Sequence, residues 1–580
     1  MKEKEMKYPA HRWALMLALA LPTLWLIGLV WALADSAPGA TAASVRYVKR
    51  DATGACNGTS WTNAYTDPQQ AIDAASPGDE IWVARGVYTP TKRTNPADPR
   101  SATFQLKEGI ALYGGFAGTE TVRTQRNWTT NVTVLSGDLD NNDTKDANGV
   151  VITTTHIHGA NAYHVVTATN VTSNTVLDGF TISAGFTDNF GGGMDVVNAS
   201  PVIRHCAFRG NQGQWGGGMS ASDSSLSLTD VTFSGNHAGM SGGGMDTRDS
   251  SLSLIDVIFS GNQATWGGGM DTSDSSLSLT DVIFSGNQAT WGGGMDTSDS
   301  SLSLTDVIFS GNQADSGGGM SNYKSNVILT QATFDKNGVT WYGGGIDNDQ
   351  SYLTMTQVTF SDNHSARYGG GMYNEGGSHV NLNRVALTGN RADIAGGGMH
   401  TTEHSHFTAT NVLLSGNQAP RGGAVAITDR SSGRMVNVTM AGNRATLEGG
   451  AVCVLTWSHT TLINAILWGN AATTGAQVHL AATSTVTITT SDVEGSWPGT
   501  GNINANPLFV APVAATYAPT TTGNYRLQAS SPAIDQGDNA AVPAGVTTDL
   551  DGKPRIVGAA VDMGAYERQR STVYLPVVRR

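Results

Sequence analysis

The chain has 580 residues, 71 of them glycine and only three cysteine, with a formal net charge of −13. It is long enough for a large core and too poor in cysteine for a disulfide scaffold. It is also too acidic, with no basic run, to read as a partner of nucleic acid or anionic lipid, and its charge suits divalent cations or neutral glycans better.

Lys2, Lys4, Lys7 and Arg12 precede an apolar run from Trp13 to Ala34 that closes on Ala32-Leu33-Ala34. This pattern predicts a secretory signal over residues 1–34 with an A-x-A cleavage site. The run is long, so an uncleaved anchor is the alternative. Membrane contact is expected only there, because no later segment is apolar for ~18 residues. The leader's four Lys/Arg and two Glu contribute +2, so the remainder carries −15.

A linker, 35–45, leads to an unrepeated region, 46–182. It holds Asn57-Gly58-Thr59-Ser60-Trp61, an amphipathic stretch from Pro68 to Ala75, and Ile81-Trp82-Val83-Ala84. Asp138, Asp140, Asn142, Asp143 and Asp146 crowd a glycine-bounded loop and are candidate Ca²⁺ donors. An EF-hand places Gly sixth and Glu twelfth, where this loop has Asp143 and Gly149, so a solvated polar turn is the competing reading. His156, His158 and His164 form a second polar cluster nearby.

Residues 183–475 form an array of eleven units whose glycine runs start at Gly191, Gly216, Gly242, Gly267, Gly292, Gly317, Gly343, Gly369, Gly396, Gly422 and Gly449. The glycines follow a 25–27-residue repeat, so they punctuate stacked supersecondary units and do not mark disorder. Asp246–Met270 and Asp271–Met295 agree at 23 of 25 positions. An enzyme needs one site, whereas near-copies supply surface and length.

In the unit Asp271–Met295, Ser276-Leu277-Ser278-Leu279-Thr280 alternates with period two, a half-buried strand. A corner at Asp281 resets the phase, so that Val282 and Phe284 face inward. Asn287 and Gly292–Gly294 make two more turns. Three short strands and three turns in about 25 residues predict one coil of an all-β, right-handed parallel β-helix. The inward columns stay apolar: Leu226, Leu252, Leu277, Leu302, Val327, Leu353, Val380, Phe407 in one, and Leu228 through Leu279 to Met435 in the other. The corner column, from Asp230 through Asp281 to Asn437, stays polar. The recurring asparagine, from Asn211 to Asn470, predicts an internal amide ladder. Cys206 and Cys453 stand ten rungs apart, ~48 Å at ~4.8 Å per rung, too far to bridge.

Three outward columns are candidate sites. Asp246, Asp271 and Asp296 follow the glycine clusters and are expected to stack outward, where bound cations would relieve their repulsion. Trp215, Trp266, Trp291, Tyr342 and Tyr368 precede the glycines and could stack sugar rings, or could instead cover the corner backbone. The column beside Leu277 reads Ser225, Ser251, Ser276, Ser301, Asn326, Tyr352, His379, His406, Ser432. Its serine ladder gives way to Tyr352, His379 and His406, with His400, Glu403 and His404 placed nearby. Two histidines one rung apart could bind a metal such as Zn²⁺ or do acid–base work; drift on a tolerant surface is the competing reading.

Gly422-Gly423-Ala424-Val425 and Phe360-Ser361-Asp362-Asn363 resemble the repeats of bacterial polymorphic outer-membrane proteins over residues 191–470. The resemblance implies a secreted right-handed β-helix of the pectin-lyase-like superfamily. Those proteins end in an autotransporter barrel, and this C-terminus lacks its series of ~10-residue amphipathic strands, so self-secretion is not expected. The segment 46–88 resembles the helical cap of secreted β-helices, which blocks edge pairing on the first coil.

Residues 476–568 carry Ser531-Pro532-Ala533-Ile534-Asp535, Asp549-Leu550-Asp551-Gly552 and Asp562-Met563-Gly564-Ala565-Tyr566-Glu567. In that order they resemble the choice-of-anchor Q domain at the ends of bacterial surface β-helices. The tail, 569–580, has no sortase motif or apolar anchor, so release or non-covalent retention is expected. The reading is a secreted or cell-surface bacterial protein, an adhesin-like elongated scaffold contacting polysaccharide, cell-surface glycans or proteins. A polysaccharide lyase or glycoside hydrolase of the same superfamily is the alternative, although no pectate lyase or polygalacturonase motif is present.

Overall fold

The structure, a computed structural model, describes residues 44–569. The predicted signal and residues 570–580 lie outside the described residues. The chain winds as a right-handed parallel β-helix of about 13 turns with about 26 residues per turn, in agreement with the periodicity.

One turn shows how the repeat builds the coil. Strand Met270–Ser273 joins a 14-stranded parallel sheet, here the glycine-side sheet. Strands Ser276–Thr280 and Ile283–Ser285 form two arms of a bent 27-stranded sheet, the serine arm and the phenylalanine arm. Between the arms sits Asp281 at φ 55°, and every equivalent corner residue from Asp230 to Asn464 is also left-handed. Asp and Asn tolerate that conformation better than other non-glycine residues, which explains the polar corner column. A left-handed residue also resets the strand phase, so Leu277, Leu279, Val282 and Phe284 all point inward at 4% exposure or less.

In-register pairing carries each inward residue onto its own equivalent one rung away. Leu254, Leu279 and Leu304 pair in sequence, and the rings of Phe208, Phe233, Phe259, Phe284, Phe309, Phe334 and Phe360 stack with centroids 4.7–4.9 Å apart. Beside them runs the asparagine ladder. The Nδ2 of Asn287 donates to Asn312 Oδ1 and to the Phe259 carbonyl, each at 3.0 Å, and its backbone N–H also donates to Asn312 Oδ1. This pattern holds from Asn211 to Asn470. It satisfies backbone groups that a buried turn would otherwise leave unpaired. The glycine run has two tasks. Gly267 takes φ 58°, and a Cβ on Gly268 or Gly269 would meet the next rung's carbonyl at 2.5–2.6 Å.

The first coil is closed by α1, Pro68–Ala74. Asp67 caps it, accepting from Gln69 N at 2.8 Å, and Ala71 and Ile72 enter the core beside Val48 and Ile81. At the other end, residues beyond about 505 fold back along the array. Strands Phe509–Ala511 and Asn524–Leu527 pair antiparallel. Phe509, Tyr525, Leu527 and Met563 then pack on Leu413, Ala441 and Ile466 of the last rungs. The three C-terminal motifs converge: Asp535 N donates to Asp562 Oδ1 at 2.8 Å, Glu567 N to Asp549 Oδ2 at 2.9 Å, and buried Arg555 pairs with Glu567 at 3.4 Å. This lobe is hydrogen-bonded to the corner column through Asn411–Thr548 and Asn464–Asp538. The three cysteines are free thiols.

At the turn after the phenylalanine arm the middle rungs are clear of both flanks. A Cβ on Gly261, Gly286 or Gly311 would meet nothing within 4 Å, whereas Gly235 abuts Ile152 and Gly416 abuts Thr520. Excising Asp271–Met295 rejoins Met270 to Asp296 with every strand facing an equivalent neighbour. The product is expected to be folded and ~4.8 Å shorter, as read by circular dichroism and small-angle scattering; global unfolding would contradict the stacked-rung architecture.

Candidate functional site

The serine arm presents Ser251, Ser276 and Ser301 outward over the middle rungs, then changes character. Register pairing places Tyr352, His379, His406, Ser432 and His459 in one outward column. Two residues along each strand, Thr354, Asn381, Thr408, Arg434 and Thr461 form a second outward column. Together they line a groove of about 450 Å³. Tyr352 is 61% exposed at one end, with its ring stacked on His379 at 5.1 Å. His379 lies 5.4 Å from His406, whose Nδ1 is 2.6 Å from Ser432 Oγ. Thr408 Oγ1 donates to Asn381 Oδ1 at 3.0 Å. Partial burial and the neighbouring imidazoles His379, His459 and His404 lower the pKa of His406.

A second cavity of about 560 Å³ adjoins this face, lined by Gly376, Glu403, His404, Asp429, Arg430 and Trp457. It exists because the turn entering the serine arm grows. In the middle rungs that turn has one left-handed residue, Asp274; here it has two, as in Glu403/His404 and Asp429/Arg430. The added residue lengthens the step from the glycine-side strand to the serine arm by one, from Met270–Ser276 in the middle rungs to Met399–His406 here.

The predicted site residues do not assemble into one place. Tyr352, His379 and His406 come together as the column arithmetic predicts. His459 and Arg434 were missed, although carrying the column 27 residues beyond Ser432 reaches His459. Trp266 and Trp291 stack at 5.8 Å but lie beside the glycine turns, away from the groove. His400 is not near His406. It sits on the glycine-side sheet, 5% exposed, against Tyr368 and Tyr373, and burial depresses its pKa to about 4.

The Asp246, Asp271, Asp296 column requires a correction. These residues pair in register, but Asp246 is fully buried and Asp271 is 9% exposed. The residues before and after the glycines fold over this column: Arg248 pairs with Asp246 and lies over the rings of Phe190 and Trp215. Burial, with the neighbouring Asp296 and Asp246 carboxylates, pushes Asp271 well above the usual carboxylate range; burial takes Asp296 to about 6. The column is an acid ladder that is covered at Asp246 and Asp271 and partly open at Asp296.

In the acidic loop the carboxylates turn back on the loop itself. Asp138 is buried, pairs with Lys145 and accepts from Asn142 N and Asp143 N. Asp140 accepts from Ala160 N and Asn142 Nδ2, Asp143 from Asn161 Nδ2, and Asp146 from Asn148 N and Val150 N. These bonds engage both oxygens of Asp138, Oδ2 of Asp140 and Asp143, and Oδ1 of Asp146 within and around the loop. Among the described residues no group of three or more His, Cys, Asp or Glu is placed to hold a metal ion.

No protein-family profile matches the chain, and no curated protein matches it in sequence. Among solved structures it is similar to pectate lyase Pel9A, at 14% identity over 92% of this chain and 98% of that one, with a TM-score of 0.24. It is also similar to PfbA, a surface adhesin of Streptococcus pneumoniae, at 10% identity over 68% of this chain and 86% of that one, with a TM-score of 0.32.

Proposed function

We propose that the chain is a secreted or cell-surface interaction protein of a bacterium that holds a polysaccharide or surface glycan along the serine-arm groove. The observation that carries this reading is the composition of the groove. It offers one exposed aromatic face at Tyr352, a row of hydroxyl, amide and imidazole groups at rung spacing, and no carboxylate among its described lining residues. Glycoside hydrolysis ordinarily uses two carboxylates flanking the scissile bond. A ladder of neutral donors and acceptors beside a ring suits the hydroxyls and apolar faces of a sugar chain. The repeated middle rungs set this groove out along an elongated scaffold. In the same reading the C-terminal lobe, docked on the last rungs, belongs with the choice-of-anchor type of domain and retains the protein non-covalently.

A second reading is favoured by one contact, the 2.6 Å approach of His406 Nδ1 to Ser432 Oγ. It is a polysaccharide lyase or hydrolase acting in the same groove. Glycan-array binding of the full chain, followed by a reducing-end assay on each hit, separates the two. Tyr352→Ala and His379→Ala/His406→Ala are expected to abolish binding while shifting stability by under ~1 kcal/mol, because all three side chains are outward. Binding that survives both variants would remove the groove from the function, and release of reducing ends would establish the enzymatic reading.

A further inference from the structure

The groove has a charge character opposite to that of the chain. The protein carries −13 overall, yet the ionisable side chains lining the groove floor are Arg434, His379, His406, His459 and Tyr352, and none of these lining residues is acidic. Arg434 is exposed and has no ion pair among the described residues. Two rungs from Arg434 stands Asn381, and one rung away stands Thr408, so the guanidinium occupies a row of neutral hydrogen-bonding groups. From this juxtaposition we infer that the groove takes an anionic glycan, one bearing carboxylate or sulfate groups, and takes up a proton at His406 as it binds.

The inference rests on the glycan-binding reading above and adds to it the ligand's charge and the coupling to pH. Imidazoles as a class gain charge between about pH 8 and 5. The ring of His406 lies 5.4 Å from that of His379, and partial burial together with the neighbouring His379, His459 and His404 imidazoles opposes its protonation in the free protein. An anion lying across the column offsets that opposition and draws the proton in. Groups at the margins bear on the same balance. On the turn edge stand Glu375, Glu403, His404, Asp429 and Arg430, with Asp429 accepting from Thr402 Oγ1 at 3.0 Å. On the corner edge Arg384 abuts Gly552 of the C-terminal lobe, where Asp551 is held by Arg526 and Lys553. Burial, with the neighbouring Asp349 and Glu403 carboxylates, raises Glu375 on this edge to about 7, so the edge grows more repulsive to an anion as pH rises through neutrality and binding weakens there. Because the rest of the surface is acidic, a polyanion has little reason to adhere elsewhere.

The test compares dextran, carboxymethyl-dextran and dextran sulfate, which share one backbone, as ligands of the full chain by calorimetry. The charged polymers are expected to bind at pH 5.5 and at least ten-fold more weakly at pH 7.5. The binding heat is expected to depend on buffer ionisation in the direction of proton uptake. Arg434→Gln should weaken binding at both pH values, and His379→Gln/His406→Gln should flatten the pH dependence while thermal stability is retained. Absence of polyanion binding at pH 5.5, a pH-independent affinity, or indifference to these variants would overturn the inference. Dextran binding that Tyr352→Ala abolishes, without preference for the charged forms, would leave the glycan groove standing and this inference refuted. No binding of any polymer, combined with a glycan array on which Tyr352→Ala changes nothing, would sink both.

Discussion

Leu279→Asp is expected to destabilise the protein by on the order of 4 kcal/mol or more, whereas Ser278→Asp, one residue away, is expected to change stability by under ~1 kcal/mol. Leu279 is fully buried between Leu254 and Leu304. A carboxylate there loses its hydration and meets only hydrocarbon, with no cation in reach to compensate. Ser278 faces water between Ser253 and Ser303, so an added charge keeps its solvation. Urea midpoints of the two variants measure the contrast. Equal damage would mean that the serine arm faces the other way, because a one-residue slip exchanges every inward and outward side chain.

Asp271→Asn is expected to stabilise the protein at pH 8 and to leave it unchanged at pH 4. Asp271 stands between Asp246 and Asp296 in a covered column, and burial together with those two carboxylates raises its pKa well above the usual range. A carboxyl group whose folded pKa is raised contributes stability that is fully present below the unfolded value of about 3.9 and is lost as pH rises through the folded value. For Asp296 that window closes near pH 6, and Asp271 is shifted in the same direction. Asparagine has the shape of the protonated acid, cannot ionise, and can donate to the carboxylates on either side. The gain at pH 8 is expected to be about 1–3 kcal/mol, the scale on which a buried polar group left uncompensated destabilises a fold. Urea midpoints at pH 4, 6 and 8 measure it, and a variant as pH-sensitive as the parent would show that the ladder does not carry the charge.

The strand register and the coil were legible because period two and the 25–27-residue repeat both report on which side of the backbone a residue lies. Leu277, Leu279, Val282 and Phe284 could be placed inward from spacing alone, and the same arithmetic aligned Tyr352, His379 and His406. The polar corner was visible too, although its cause, a left-handed backbone at Asp281 and its equivalents, is conformational and leaves only a preference for Asp, Asn and Gln in the sequence.

Spacing could not report what lies over an outward residue. Asp246, Asp271 and His406 are all outward by phase, yet Asp246 and Asp271 are buried beneath neighbouring turns and His406 opens into a groove. Cover comes from segments that reach across the rungs, such as Arg248 lying over Phe190 and Trp215, or the C-terminal lobe packed on Leu413 and Ile466. Which carboxyl groups lose their water, and which histidines keep it, therefore depends on side-chain reach and chain return, and these exist only once the rungs are stacked.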